Sequence, residues 1–222
     1  MTFSPEWDKL YRDNAHMSIW PWSDLVSYVH RYARPMDGFR KVLELGCGAG
    51  ANIPFFLKLG VDYCTVEGSP AIVGQLQEHY PALAERIRVG DFTREYPFPG
   101  PFDLIVDRGS LIHNTTAGIR SGLALAFTHL RAGGKFIAID WFSTAHGSAG
   151  LGLPADSHTR TAIASGHLAG TGNVHFCDRE HLQGLLEQAG FRIERLEHKQ
   201  NDVFVPAGGD RFAWWNFVAV KP

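Results

Sequence analysis

No stretch of this 222-residue chain approaches the roughly 20 apolar residues needed to cross a bilayer, so a membrane partner is not expected. Charge of one sign is equally scarce: 21 Lys and Arg face 23 Asp and Glu, for a formal net charge of -2. No basic run is present, which argues against the electrostatic footprint of nucleic acid or anionic lipid and leaves a small molecule as the expected partner. The only cysteines, Cys47, Cys64 and Cys177, are too few for a disulfide framework and lack C-x-x-C spacing, so they are read as reduced thiols in the packing. The opening "MTFSPEWDKLYRDN" has no basic segment followed by an apolar stretch; a signal peptide is not expected, and a cytoplasmic location is.

What the chain does have is alternation. Short β-rich apolar runs at 42–45, 63–66, 87–89, 104–106 and 136–139 are separated by helix-length segments at 51–59, 69–79 and about 117–130. That order predicts a parallel sheet covered on both faces. Gly60 after the first segment, Pro81 after the second, and Gly133 and Gly134 after the third read as stop signals. From Asp178, a predicted N-cap, the pattern changes: one helix to Ala189 is followed by two runs, 191–196 and 212–220, with no helix between them. Such a pair must be antiparallel, and the aromatic run "RFAWWNFVAV" is read as a buried strand. The segment 143–173, rich in Gly, Ala, Ser and His, is long for a connection and predicts a lid or pocket wall.

"KVLELGCGAGANIPFF", beginning at Lys41, is strand, glycine turn and helix, the arrangement that turns free N–H groups of a helix start toward a ligand. Gly46, Gly48 and Ala51 also satisfy G-x-G-x-x-[GA], so a nicotinamide cofactor is an alternative. The acids discriminate. Glu44, two residues before the first glycine, would repel a pyrophosphate yet can hold an ammonium through bridging water. Glu67 ends the second strand, where a carboxylate accepts ribose hydroxyls. Asp91 follows the third, placed for an adenine amino group with Phe92 against the ring. Adenosine with a methionine-like tail fits these positions. The oxidoreductase alternative calls for a parallel sixth strand, and no Tyr-x-x-x-Lys pair is present.

Together "VLELGCGAG", "VEGS", "VGDF", "FDLIVDRGSL" and "LRAGGKFIAID" resemble the class I S-adenosylmethionine-dependent methyltransferases, closely over 41–140 and, through the strand pair, to Val220. The resemblance implies a Rossmann-like, doubly wound α/β fold: a seven-stranded sheet, mostly parallel, with an antiparallel C-terminal strand. It also implies S-adenosyl-L-methionine as cofactor. By it, Gly46, Cys47, Gly48 and Gly50 meet the methionine moiety, Glu67 the ribose, and Asp91 and Phe92 the adenine. Asp107 would lie near the sulfonium, with Asn52, Gly68 and Ser69 completing the set. One domain is expected over 1–222, with a helical lid (1–36), a cofactor core (41–140), a substrate insertion (142–177) and the closing helix and strand pair (178–222).

Trp7, Tyr11, Trp20 and Trp22 lie ahead of the sheet, Trp7 and Tyr11 on one helical face, where aromatic rings can attract a sulfonium. The loop "VDRGSLIHNTT" after the fourth strand is the expected seat of chemistry. There His113 is the candidate base and Arg108 a candidate contact to an anionic substrate group. Transfer to oxygen or nitrogen of a small molecule is expected. The N-terminal "WDKLYRDN…SIWPWSDLV" resembles small methyltransferases of bacterial surface-polysaccharide clusters, implying a sugar or nucleotide-sugar acceptor. "DRGSL" resembles the thiopurine and halide methyltransferases instead, whose acceptors need no base. A non-catalytic binding module of the same fold is a further alternative. His175, Cys177 and His181 are close in sequence, but His181 sits on a first helical turn with no reason to converge, so no metal site is expected.

Overall fold

The structure, a computed structural model, describes residues 5–34, 36–206 and 209–222. Residues 1–4 and Pro35, parts of the expected lid segment, lie outside the described residues. Five parallel strands, β1 (Lys41–Leu45), β2 (Asp62–Glu67), β3 (Ile87–Val89), β4 (Phe102–Arg108) and β5 (Leu130–Phe142), are joined by helices except between β3 and β4, where residues 90–101 form a non-helical connection. Their order is β3-β2-β1-β4-β5. The chain therefore winds one way from β1 and the other way from β4, which opens a crevice beyond the carboxyl ends of these two neighbours.

The end of the chain completes seven strands, as the sequence predicts. Leaving aside the three small strands described below, β9 (Arg192–Asp202) takes the edge, and β10 (Arg211–Val220) inserts between it and β5, antiparallel to both. "RFAWWNFVAV" is thus a central, buried strand. The parallel sixth strand required by the nicotinamide alternative is absent from the described sheet.

Period-two alternation sorts the strand residues between two cores. Leu43, Leu45, Ile105 and Phe136 pack with α5 (Thr116–His129) and α6 (Arg179–Gln188). On the other face Val42, Leu104, Val106 and Ile137 pack with α2 (Ser23–Tyr28), α3 (Ile53–Leu59) and α4 (Pro70–His79). Truncating a fully buried ring such as Phe56 of α3 would cost about 3–5 kcal/mol. Helix starts are capped by side chains: the Ile72 N–H donates to Ser69, the Gly118 N–H to Thr115, and the His181 N–H to Asp178, each cap contributing about 1 kcal/mol.

One expectation shifts. α5 ends at His129, and Gly133 and Gly134 lie inside β5, where the Gly133 N–H donates to the Lys221 carbonyl at 2.8 Å. Within the segment 143–173, mostly turns and bends, β6 (Leu153–Pro154) and β7 (Thr159–Thr161) form a small antiparallel sheet with β8 (Val174–His175). That sheet sits over its own apolar cluster of Ile163, Leu168, Val174 and Phe176. Among the described residues no helix is long and apolar enough to cross a membrane.

Candidate active site

A cavity of about 660 Å³ lies beyond the carboxyl ends of β1 and β4, within the roughly 300–1,000 Å³ typical of small-molecule sites. The glycine turn after β1 forms its floor. Gly46 and Gly48 adopt φ +65° and +52°, the left-handed region that favours glycine. A Cβ on Gly46 would lie 2.3 Å from Ser110 Oγ, and one on Gly48 2.8 Å from the Tyr11 hydroxyl. Ser110 donates to the Gly46 carbonyl at 2.9 Å, tying the loops after β4 and β1 together.

Two buried carboxylates face this end. Glu44, on the α2/α3 face of β1, accepts from Asn52 Nδ2 at 2.8 Å and Tyr63 hydroxyl at 2.5 Å. Glu67 accepts the backbone N–H groups of Gly48 at 2.9 Å and Ser69 at 3.0 Å. Both line the cavity, and among the described residues neither has a cationic ion-pair partner. Burial pushes both above the usual carboxylate range, because the interior disfavours the ionised form. Asp91 and Phe92 follow β3 into the same wall; Asp91 accepts from Thr93 N at 3.0 Å and its hydroxyl at 2.6 Å.

Helix α1 (Pro5–Arg12) covers this end. Asp8 docks it, accepting from Ser69 Oγ at 2.6 Å and Ala71 N at 3.3 Å at the start of α4. That docking turns Trp7 and Tyr11, 5.9 Å apart between ring centroids, onto the cavity. Trp22 stacks on the Arg108 guanidinium at 3.5 Å, while Trp20 is exposed and lines nothing.

The other end is built from β4, β5, the insertion and β10. Arg108 Nε donates to Asp140 Oδ2 at 3.0 Å. Asp140 holds φ +62° at the end of β5, a conformation that costs about 1–3 kcal/mol and persists where the surroundings over-determine it. His113 packs edge-on against Trp7 at 4.8 Å, and its Nδ1 lies 2.9 Å from the Asn173 carbonyl. A carbonyl can only accept, so Nδ1 carries the proton and Nε2 holds the lone pair. Burial, reinforced by the Arg108 charge, lowers His113 to about 4, so the ring is neutral at pH 7.

Four sequence expectations are corrected. Asp107 does not line the cavity. It is fully buried on the α5 side and accepts from Ser110 N at 3.1 Å, Leu111 N at 3.0 Å and Trp141 Nε1 at 2.5 Å, holding the post-β4 loop rather than a ligand. Gly50 faces Leu76 and Ile53 in the core. Gly68 and Ser69 stand behind the wall: their N–H groups orient Glu67, and Ser69 caps α4. His175 and His181 do converge, with Nε2 atoms 3.0 Å apart.

Histidines of the 143–173 segment are expected from sequence to address a polyhydroxylated substrate, and His146 and His167 line the cavity. The sequence reading did not assign His16, Asp140, Phe212 or Trp214 to the site, and all four line it; Phe212 and Trp214 come from β10, remote in sequence from the glycine turn. The positive φ of Asp140, just beyond the apolar run of β5, has no sequence signal at all.

Residues 42–134 match a family model described as a methyltransferase domain. A protein-L-isoaspartate O-methyltransferase of Gloeobacter violaceus is 33% identical over 85 residues, covering 37% of this chain and 41% of that protein. The chain thus matches about two fifths of that curated relative. Among solved structures, a methyltransferase of Methanosarcina mazei described as S-adenosylmethionine-dependent shares the fold with TM-score 0.67 at 15% identity, over 91% of this chain and 98% of that one. Another described in the same terms, from Clostridium acetobutylicum, gives 0.62 at 17% identity over 96% and 95%. The glycopeptide N-methyltransferase MtfA complexed with S-adenosyl-L-homocysteine gives 0.62 at 19% identity over 99% and 98%.

Proposed function

We propose, for a chain whose residues 42–134 form a methyltransferase domain on the class I S-adenosylmethionine-dependent fold, that it transfers the methyl group of S-adenosylmethionine to an oxygen or nitrogen of a small polar molecule. The observation that carries the cofactor half of this reading is the pair Glu44 and Glu67. Two buried carboxylates without cationic partners among the described residues suit a ligand bearing an ammonium and a sulfonium better than one bearing a pyrophosphate. When bound, the cofactor supplies an electrophilic methyl group.

The chain's own residues do the rest. Glu44, through bridging water, and the glycine turn hold the methionine end, Glu67 the ribose, and Asp91 with Phe92 the adenine. Trp7, Tyr11 and Trp22 act as a lid: their faces attract positive charge by roughly 0.5–2 kcal/mol and exclude water. Arg108 and Asp140 orient the acceptor. Nε2 of His113 takes the acceptor's proton as its lone pair attacks in line. Orientation of the two reactants can supply about 7–11 kcal/mol of the barrier reduction.

A sugar or nucleotide-sugar is the acceptor class proposed. Its support is the polar and aromatic wall opposite the glycine turn, where His146, Phe212 and Trp214 line the cavity. The thiopurine or halide alternative gains no support, because Arg108 of "DRGSL" is engaged by Asp140 and Trp22. The experiment is formation of S-adenosylhomocysteine from S-adenosylmethionine in the presence of sugar, nucleotide-sugar, amine, thiol and halide panels. Acceleration by a hydroxyl or amine acceptor is expected; acceleration confined to thiols or halides would overturn the oxygen-or-nitrogen assignment.

A further inference from the structure

Outside the cavity, three side chains with metal-binding atoms come together where β8 meets the first turn of α6. The donor atoms of His175, Cys177 and His181 all lie within 4.8 Å of one another. His175 and Cys177 are fully buried, and neither lines the active-site cavity. The His175 and His181 Nε2 atoms are 3.0 Å apart. Two imidazole nitrogens bound at 2.0–2.1 Å in a tetrahedral zinc site stand about 3.3 Å apart, so only a few tenths of an ångström separate the two arrangements.

The surroundings prepare His175 for this role. Its Nδ1 lies 2.9 Å from Thr159 Oγ1, and the Thr159 hydroxyl is itself hydrogen-bonded to the Asp156 carboxylate. The hydroxyl donates to the carboxylate and so accepts from Nδ1–H, which leaves the Nε2 lone pair turned to His181 and Cys177. A carboxylate, acting here through one hydroxyl, that fixes the tautomer of an imidazole is the recurrent outer support of metal-bound histidines. The Asp178 cap aligns His181 by accepting its N–H at 2.8 Å. His158 stacks flat on the His181 ring at 3.6 Å and 2°, fixing its plane.

We propose that His175, Cys177 and His181 bind a divalent transition metal of the zinc class, with water as fourth ligand. Two imidazoles and a thiolate select zinc over magnesium or calcium, which prefer oxygen. Binding converts the Cys177 thiol to thiolate and releases its proton to solvent. The metal clips the insertion to α6. Asn173, two residues before His175, accepts the Nδ1–H of His113, so the clip also secures the carbonyl that orients the proposed base. That last consequence rests on the methyltransferase reading; the metal site itself does not.

Cobalt is the probe. The full chain, stripped with chelator and titrated with Co²⁺, is followed by absorption. One equivalent should produce a thiolate-to-cobalt charge-transfer band and the intense visible bands of a tetrahedral ion, both displaced by Zn²⁺. Cys177→Ser should abolish the charge-transfer band, and Cys64→Ser should keep it. Should Cys177→Ser fail to fold, Thr159→Val supplies the second variant: loss of the outer support should weaken cobalt binding roughly 10–100-fold. Absence of the band, or its persistence at unchanged affinity in Cys177→Ser or Thr159→Val, would overturn the proposal. None of these readouts depends on methyl transfer, so failure of the metal site and failure of the enzyme reading are separable.

Discussion

The Nδ1 atom of His113 donates to the carbonyl oxygen of Asn173 across 2.9 Å, joining the loop after β4 to the strand that closes the insertion. The bond fixes the ring and its tautomer together. The neutral ring lines a cavity whose opposite end holds Glu44 and Glu67.

His113→Ala is expected to slow methyl transfer by about 10²–10⁴ while the dissociation constant for S-adenosylhomocysteine stays unchanged. Turnover at the parent rate would remove His113 from the chemistry.

The pH dependence follows from the same residue. Burial and then the Arg108 charge hold His113 at about 4 rather than 6.5. Between those values the unfolded chain binds a proton that the folded chain does not, so stability rises with pH across this window. Denaturant midpoints measured from pH 4 to 7 should show that rise, and His113→Ala should flatten its share of it. In the pH profile of kcat/KM, the acid limb belonging to His113 should lie near 4. A limb at about 6.5 that disappears in His113→Ala would contradict this placement.

Glu44 and Glu67 are raised by burial, whereas a cationic ligand favours their ionised forms. Cofactor binding should therefore release protons, and affinity should increase as pH rises through their folded-state range. Calorimetry in buffers of different ionisation enthalpy measures the release. Glu67→Ala should weaken binding by roughly 10-fold or more, the scale of one charge-assisted hydrogen bond, and Glu44→Gln should reduce the proton release.

Gly46→Ala places a methyl group 2.3 Å from Ser110 Oγ on a backbone at φ +65°. A loss of stability above about 1 kcal/mol is expected, together with weaker cofactor binding, both visible in thermal melts with and without S-adenosylhomocysteine. Gly60→Ala, at φ +69° with no atom within 4 Å of the added Cβ, provides the comparison: strain without obstruction, and cofactor affinity retained.

Much of this architecture is legible in local sequence. Glu44, Gly46, Gly48 and Glu67 lie within three residues of the ends of β1 and β2, so strand direction alone brings them together. The missing crossover helix between β9 and β10 announces the antiparallel end. Asp107 was misassigned because proximity to a strand end outweighed alternation: on β4, Val106 packs on the α2/α3/α4 side, and its neighbour Asp107 necessarily turns to the α5 side with Ile105. His146, Phe212 and Trp214 reach the cavity only through tertiary folding of the insertion and of β10. The meeting of His175 with His181 likewise depends on the angle at which α6 leaves β8, which no spacing rule encodes.

The most direct test of the central claim is thermal unfolding of the whole chain alone, with S-adenosylhomocysteine, and with NADH. A ligand at 100 times its dissociation constant adds about 2.7 kcal/mol, a Tm increase of roughly 5–10 °C for a domain of this size. The account predicts that shift with S-adenosylhomocysteine and none with NADH. A shift with NADH alone would contradict it and return the glycine turn to a dinucleotide.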